Sequence, residues 1–204
     1  MKVNKRGNGI SYVFEMNSKR GNGISYVFDM KSKRGQIWVE TVIYTLIAFV
    51  LIGAVLAIAQ PRIEEIQDKA FIEQSLGVMK DVDNILLSLA QGGVGNKRVI
   101  ELGVKNGNFI IDGENDRIIF EIDSVYAYSE PGQDYKEGNM IINTMQKGDV
   151  YSVNITRTYI SYNITYGGAE TSRIIGKASA PYRVSISHNG KDASNKIKID
   201  FEVQ

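Results

Sequence analysis

The 204-residue chain has no cysteine and a single histidine, and these two shortages exclude several classes of protein. Without cysteine there are no disulfides, no Cys-ligated zinc, no iron–sulfur cluster and no thiol catalysis. One histidine, His188, leaves no imidazole cluster for a metal and little for Ser–His catalysis. We therefore expect a protein that is not an enzyme, with no catalytic residues, no cofactor and no bound metal.

The formal charge is also small, because 24 Lys and Arg oppose 23 Asp and Glu for a total of +1. A near-neutral chain is not expected to bind nucleic acid over a broad surface. The total combines two unlike parts, however. Residues 1–35 carry eight basic and two acidic residues, a net +6, and the rest of the chain carries 16 basic and 21 acidic residues, a net −5.

A short repeat opens the chain. Lys5–Phe14 reads KRGNGISYVF, Lys19–Phe28 repeats it letter for letter, and a third copy begins at Lys33 and then diverges. The period of 14 residues is too short for each copy to bury a core. We interpret residues 1–35 as a basic leader and leave them out of the fold. Translation from Met1, Met16 or Met30 stays open.

The apolar segment, Thr41–Ala59, contains 19 consecutive uncharged residues. At about 1.5 Å per residue, a helix of this length crosses the hydrocarbon core of a bilayer. The positive-inside rule keeps the basic leader in the cytoplasm and places the acidic remainder outside the cell. We therefore expect a precursor in the cytoplasmic membrane with an external C-terminal part.

The junction before the apolar segment, Lys33–Tyr44, reads KRGQIWVETVIY. This pattern resembles the class III signal peptides of type IV pilins, in the archaeal form where a basic pair and Gly precede the cut and Gln opens the mature chain. The resemblance implies cleavage between Gly35 and Gln36 by a membrane-bound prepilin peptidase. The processing residues it implies are Lys33, Arg34, Gly35 and Gln36.

Two features depart from the family pattern. Trp38 stands where the archaeal pattern often has Ser, although an indole at headgroup depth is ordinary for a membrane interface. The leader is longer than family leaders, whereas a start at Met30 would give the more typical MKSKRG. The Gln36 opening resembles the adhesive-pilus branch more than the related archaellum proteins.

Glu40 stands fifth after the implied cut, where a carboxylate beside a membrane helix is costly and usually marks a pairing function. In pilins this Glu is thought to neutralise the free amino terminus of a neighbouring subunit and so to set axial register. The alternative is that Glu40 lies at the interface without a partner. The side chains that we expect in the membrane and then in a filament core are Ile43, Leu46, Phe49, Leu51 and Leu56.

A second cut is possible at Ala57-Ile58-Ala59, an A-x-A site of the kind that ordinary signal peptidase uses. Cleavage there would release a soluble secreted domain that begins at Gln60. The apolar run is longer than the usual apolar part of a signal peptide, which favours the pilin-type cut.

The helix is predicted to continue beyond the membrane, over residues 36–91, with a kink near Pro61. The apolar stripe consists of Ile66, Ala70, Val78, Val82, Ile85 and Leu89, and charged residues, Asp83 among them, fill the other faces. Phe71, Leu76 and Leu86 lie off this stripe and widen it, which suggests burial on more than one side. The stretch GGVGNK lacks the spacing of a phosphate-binding loop, so we interpret it as the end of the helix and a linker.

From residue 97 to residue 204 the pattern changes to period two with Asn-Gly, Asp-Gly and Gly-Gly turns, which predicts an all-β head. The fold class is therefore α+β, a long N-terminal helix followed by a small sandwich or partly open barrel. The predicted strands are Arg98–Val104, Asn108–Asp112, Arg117–Ile122, Asn139–Thr144, Asp149–Thr156, Thr158–Tyr166, Arg173–Lys177, Tyr182–Ser187 and Lys196–Val203. Hairpin turns are predicted at Lys105–Gly107, Asp112–Asn115, Tyr166–Ala169 and His188–Lys191.

Three features of the head are candidate sites. Two sequons, Asn154-Ile155-Thr156 and Asn163-Ile164-Thr165, predict glycosylation at one or both asparagines, since strand parity places both on a solvent face. Asp112–Asp116 resembles a calcium loop only superficially, and we interpret it as a turn. His188 is expected to be exposed and inert.

The leading hypothesis is a structural subunit of an archaeal type IV-like pilus that homopolymerises through its apolar helix into a surface filament for attachment. The resemblance implies a prepilin peptidase, an assembly ATPase and a membrane platform protein as partners. The alternative hypothesis is a secreted or membrane-anchored binding module at the cell surface that does not polymerise.

Overall fold

The chain divides into two compact units, Met1–Ala59 and Gln60–Gln204. The computed structural model describes residues 38–204 in full, and it describes only the backbone of residues 2–5, 10–14, 26–29 and 34–37. Of the predicted processing residues, Lys33 lies outside the described residues. Arg34, Gly35 and Gln36 are described by their backbone alone.

The first unit contains three short strands in the leader: β1 (Lys2–Lys5), β2 (Ile10–Phe14) and β3 (Tyr26–Asp29). They form an antiparallel sheet in the order β1-β2-β3. The sequence analysis assigned no strand to the leader. The repeated ISYVF is rich in β-branched and aromatic residues, which explains why both copies contribute a strand.

A single helix, α1, runs from Arg34 to Gly92. Its bounds agree with the predicted 36–91 within two residues at each end, and Pro61 lies inside it, so the helix continues through the proline as predicted. The kink itself stays a prediction. Gly93 follows with a φ of +86°, the left-handed conformation that commonly ends a helix. The GGVGNK stretch is thus a helix end, as expected.

The second unit is β-rich and consists of two sheets beside the C-terminal part of α1. Its strands are β4 (Lys97–Leu102), β5 (Asn108–Asp112), β6 (Arg117–Ser124), β7 (Asp134–Glu137), β8 (Met140–Lys147), β9 (Val150–Thr158), β10 (Tyr162–Tyr166), β11 (Ser172–Gly176), β12 (Tyr182–Lys191) and β13 (Ile197–Val203). One sheet has six strands in the order β11-β5-β6-β9-β8-β7, and the other has four in the order β10-β13-β12-β4. Within the described head these sheets do not close into a barrel, and the α+β class is confirmed.

All nine predicted strands are present, but the structure has one additional strand and one that is clearly shorter than expected. β7, with the sequence DYKE, has no apolar alternation, so the pattern gave no sign of this short edge strand. The predicted strand Thr158–Tyr166 is shorter, because β10 begins only at Tyr162. Residues 159–161 carry the chain from the six-stranded sheet to the four-stranded one.

Two of the four predicted hairpins are wrong. Lys105–Gly107 and Tyr166–Ala169 each connect strands of different sheets, so their flanking strands do not pair. The hairpin at Asp112–Asn115 is confirmed by the antiparallel pairing of β5 with β6. β12 and β13 also form a hairpin, but its turn follows Lys191.

The displaced turn changes the position of His188. Asp192 Oδ1 accepts hydrogen bonds from the backbone N–H groups of Ser194 and Lys196 at 2.8 and 2.9 Å, which fixes the turn after β12. His188 therefore lies inside β12, 4% exposed, and its Nδ1 accepts the N–H of Gly190 at 3.2 Å. The expectation of an exposed histidine in a turn is wrong.

The core of the second unit is one apolar cluster that joins α1 to the inner faces of both sheets. The buried apolar side chains of the helix are Ile72, Leu76, Met79, Val82, Leu86 and Leu89. This spine includes Leu76 and Leu86, which were expected only to widen the stripe, whereas Ile66 is 68% exposed and Val78 and Ile85 are only partly buried. Periodicity predicts a stripe, but the covering sheets decide which side of it is buried.

Two ion pairs attach α1 to the six-stranded sheet, and the buried one is between Asp83 and Arg157. Asp83, predicted on a polar face, is buried, and its Oδ1 accepts the Nε–H of Arg157 at 2.9 Å. The guanidinium of Arg157 also lies 4.8 Å from the ring centroid of Tyr159. Burial, and then the charge of Asp83, raises the pKa of the Tyr159 hydroxyl well above its ordinary value. The buried carboxylate of Asp83 is thus neutralised by Arg157, which lies 74 residues later in the chain.

Candidate functional site

The implied cleavage site lies at the start of α1. The backbone is helical from Arg34 onward, so the peptide bond between Gly35 and Gln36 belongs to the first helical turn. A protease binds its substrate in an extended conformation, and the first turn would have to unwind. Gly35 favours this step, because glycine is less favourable than alanine in a helix by about 1 kcal/mol.

Glu40 has a partner on its own helix. Both side chains are exposed, and the hydroxyl of Tyr44 donates to Glu40 Oε1 at 3.2 Å, one helical turn away. Such i, i+4 pairs contribute about 0.2–0.5 kcal/mol. The carboxylate is therefore oriented by Tyr44 while staying accessible to a further partner. The sequence analysis missed Tyr44, although its spacing of four residues from Glu40 is the signal that indicates the pair.

The five side chains predicted for a filament core share one property, which is exposure. Ile43, Leu46, Phe49, Leu51 and Leu56 are between 49% and 67% exposed. Among the described residues, α1 is the one helix long and apolar enough to cross a membrane, and its most apolar stretch has no buried residue. Exposed apolar surface on this scale marks contact with lipid or with another protein.

Gly53 and the alanines around it leave space on this helix surface. A Cβ built on Gly53 would meet no atom within 4 Å. Small residues let the backbones of neighbouring helices approach closely, which is how helices associate when lipid removes the hydrophobic driving force. The apolar segment therefore has both the surface and the small residues that helix–helix packing needs.

The second sequon does not have the expected exposure. Asn163 is only 8% exposed, and its Nδ2 donates to Glu170 Oε1 at 2.7 Å and to Asp192 Oδ2 at 3.0 Å. Thr165 is fully buried, and its hydroxyl donates to Asp200 Oδ1 at 2.6 Å. Strand parity is right for β10, but neighbouring turns cover the outer side of this edge strand. The predicted solvent exposure of Asn163 is wrong.

The first sequon has the predicted orientation. Asn154 lies in the middle of β9, half-buried, and its neighbours Val153 and Ile155 point into the core. In the register of the six-stranded sheet it lies opposite Glu121 of β6 and Asn143 of β8. Asn154 is thus on the outer face of the sheet, as expected.

In the acidic loop after β5, the carboxylate of Asp112 accepts hydrogen bonds from other side chains of the protein. Asp112 Oδ2 accepts the Nε–H of Arg117 at 2.6 Å and the Nδ2–H of Asn115 at 2.9 Å, and Ser172 donates to Oδ1 at 3.1 Å. Burial alone would raise the pKa of this carboxyl, but these hydrogen bonds outweigh it and lower the pKa below its ordinary value. The loop is a turn held by its own residues, as interpreted.

A pocket of about 360 Å³ lies on the head before β8, at the lower end of the range for small-molecule sites. Its lining residues are Tyr128, Ser129, Glu130, Gln133, Asp134 and Tyr135. The hydroxyl of Tyr128 donates to Glu137 Oε2 at 3.3 Å. Burial, followed by the charge of Glu137, raises the pKa of Tyr128 to about 12. The pocket combines aromatic rings with hydrogen-bonding groups and was not predicted from the sequence.

No protein-family model, curated protein or solved structure matches this chain. Its function is therefore inferred from its own residues, of which the junction and the exposed apolar segment are the most informative.

Proposed function

We propose that the chain is a structural subunit of an archaeal type IV-like pilus, which homopolymerises through its N-terminal helix into a surface filament for attachment. The observation that carries the proposal is the direct succession of KRGQ, Glu40 and 19 uncharged residues. The apolar side chains of this run are exposed from Trp38 to Ile58, so the described part of the chain does not cover them. A polymer of identical helices would bury them.

The proposed mechanism begins in the cytoplasmic membrane. The leader, with its net +6, stays inside, and the acidic part of the chain lies outside. A prepilin peptidase cuts between Gly35 and Gln36, which leaves the apolar helix in the mature subunit with a free amino group at Gln36. That cation is four residues from Glu40, so a neighbour displaced along the filament axis can receive it.

Pairing with a neighbour explains why a carboxylate is placed at this position. Glu40 would cost about 2–3 kcal/mol if it lay unpaired deep in the bilayer. The hydroxyl of Tyr44 holds one oxygen of the carboxylate at 3.2 Å and leaves the other open for the amino terminus of the next subunit. Assembly then needs an ATPase and a membrane platform protein as partners, but no catalytic residue in the subunit itself.

The head would form the outer surface of such a filament. Its two sheets, taken as a small sandwich, belong to a segment that is nearly neutral, since residues 97–204 have 13 basic and 14 acidic residues. Most of the net −5 of residues 36–204 lies on the helix segment, where residues 36–96 have three basic and seven acidic residues.

The direct test is the N-terminal sequence of the mature protein from cells that carry a prepilin peptidase. Gln36 as the first residue is expected, together with filaments that contain the chain. Gln60 as the first residue would indicate a secreted domain, and an uncut Met would indicate a simple signal anchor. Either of these results overturns the pilin proposal.

The tyrosine-lined pocket favours a second candidate, a cell-surface binding module that does not polymerise. Its two tyrosines and its Gln133 amide provide an apolar face and polar groups at one site. This candidate predicts a mature chain that binds a small molecule through the pocket while staying monomeric in the membrane or in solution. Sedimentation of the processed chain separates the two candidates, because only the pilin forms large assemblies.

A further inference from the structure

The outer face of the six-stranded sheet carries a row of four isoleucines and one threonine that crosses five strands. Register places Ile174 beside Ile110, Ile110 beside Ile119, Ile119 beside Thr156, and Thr156 beside Ile141. We call these five residues the isoleucine row. At about 4.8 Å between strands, the row is about 20 Å long.

The isoleucine row is accessible at both ends. Ile174 is 61% exposed and Ile141 is 41% exposed, whereas the three residues between them are half-buried by their neighbours on the same face. Neighbouring apolar side chains on a protein surface normally mark a contact site, and this row contains four isoleucines. Something other than water is therefore expected to cover them.

The adjacent row on the same face is polar and contains the first sequon. Its members, from β5 to β7, are Asn108, Glu121, Asn154, Asn143 and Asp134. Asn154 precedes Thr156 of the isoleucine row by two positions in β9, a distance of about 7 Å along the strand. A group attached to Asn154 would therefore lie directly beside the isoleucines.

The two sequons differ in the state of their amides. The Nδ2 of Asn163 is held by two carboxylates and the hydroxyl of Thr165 by a third, so this sequon is unavailable once β10 has formed. The side chain of Asn154 makes no hydrogen bond within the described part of the chain and is not among its fully buried polar groups. A glycan on Asn163 would prevent the native packing, whereas a glycan on Asn154 would point outward.

We propose that Asn154 is the glycosylated asparagine of this chain and that its glycan lies over the isoleucine row. This inference rests on the proposed function only in needing the head outside the cell. The apolar C–H faces of the first sugar rings would contact the isoleucines, and their hydroxyl groups would face the water.

The modification is a transfer from a lipid carrier. A membrane-bound oligosaccharyltransferase would join Asn154 Nδ2 to the anomeric carbon of an oligosaccharide linked to a lipid phosphate. The bond between that carbon and the phosphate oxygen breaks, and the lipid phosphate leaves with the electron pair. The amide proton passes to a base, so the products are the glycosylated asparagine and the free lipid phosphate.

The first experiment locates the glycan. The full-length chain is purified in detergent from cells that have a lipid-linked oligosaccharide and its transferase, and intact masses are compared for wild type, Asn154→Gln, Thr156→Ala and Asn163→Gln. We expect a mass above that of the polypeptide for wild type and Asn163→Gln, and the bare polypeptide mass for the other two. A bare wild-type chain, or a glycan lost only with Asn163→Gln, would overturn the proposal. A bare chain that begins at Gln36 and forms filaments would leave the pilin proposal intact.

The second experiment tests whether the glycan covers the row, and it uses the absence of native cysteine. Ile119→Cys reports on the isoleucine row. The matched control is Ile160→Cys, because Ile160 is 84% exposed in the connection between β9 and β10. Removing the glycan with Asn154→Gln should raise the rate of maleimide labelling of the Ile119→Cys chain several-fold and leave that of the control unchanged. Equal rates with and without the glycan would contradict the cover. If the Ile119→Cys thiol were equally protected from maleimide in filaments that lack the glycan, a neighbouring copy would cover the row, and this result would also contradict the proposal.

Discussion

The two halves of α1 have the same backbone conformation but opposite surroundings. From Trp38 to Ile58 every side chain is exposed, although most are apolar. From Ile72 to Leu89 six apolar side chains are buried in one core with both sheets of the head, and Val78 and Ile85 pack against it partly buried. The comparison teaches that an apolar helix is stable in a folded chain only where it is covered. The second half is covered within the chain, whereas for the first half we propose that lipid or other subunits provide the cover.

Charge differs between the halves in the same way. The apolar segment has no charged residue between Thr41 and Ala59, and the acid before it, Glu40, is exposed. The second half buries Asp83, but only with Arg157 at 2.9 Å. In the head the counter-charge comes from the same chain, and in the apolar half we expect it from a neighbour. Four changes test this contrast.

The largest effect is expected from Glu40→Ala. Without the carboxylate the amino terminus of the next subunit has no partner, so the chain should be cut after Gly35 but should not form filaments. Electron microscopy of sheared cells and N-terminal sequencing measure the two steps separately. Tyr44→Phe keeps the carboxylate and should only reduce the number of filaments. A Glu40→Ala chain that is processed and builds normal filaments would refute the pairing role.

The next effect is expected from Arg157→Leu, which leaves Asp83 buried without a cation. Loss of one partner of a buried pair costs about 3–5 kcal/mol of the free energy of unfolding. Urea denaturation of the full-length chain in detergent, followed by the tyrosine signals of the head, measures the change. Arg62→Ala is the control, because Arg62 pairs with Glu65 on the exposed surface of α1, where such a pair contributes about 1 kcal/mol or less. Equal losses in the two variants would show that the buried pair has no special role.

A direct comparison of the halves uses one substitution in each. Leu86→Ala removes a fully buried side chain and should lower the free energy of unfolding of the head by about 2–5 kcal/mol. Leu46→Ala removes an exposed one and should change the same quantity by about 0.5 kcal/mol or less. If Leu46→Ala destabilised the head as much as Leu86→Ala does, Leu46 would have a partner within the chain, contrary to the contrast drawn above.

The smallest effect is expected from Asp112→Asn, whose effect on the melting temperature should depend on pH. The pKa of Asp112 is lower in the folded chain than its ordinary value, so its ionised form stabilises the fold at neutral pH. That stabilisation is present above the unfolded value of about 3.9 and is lost as the pH falls through the folded value. Asp112→Asn should therefore lower the melting temperature at pH 7 and have less effect at pH 2. Glu114→Gln, in the same turn but exposed, is the control and should change neither temperature.

The sequence predicted those features of the fold that depend on neighbours along the chain. The bounds of α1, the strand alternation of β9 and the Asp112–Asn115 hairpin all follow from periodicity and turn residues. It failed where distant segments meet. His188 is buried because the turn forms after it, and Asn163 is buried because Glu170 and Asp192 fold over the edge of β10.

The candidate site divides in the same manner. The junction and the apolar segment are visible in the sequence, because they are contiguous. The Glu40–Tyr44 pair is also local, and a search for side chains four residues apart predicts it. The isoleucine row is not local, since its five members come from five strands, and only their register brings them together.

The strand order of the smaller sheet has a consequence for the order of events in the cell. β4 follows α1 directly, yet its partner is β12, with Leu102 opposite Tyr182. The sheet therefore cannot form until the ribosome has passed β12, although the apolar segment has left it long before. Pairing between distant segments is slow and exposes unpaired edges while it proceeds. Anchoring by the helix would keep each unfinished head apart from its neighbours until its own late strands arrive.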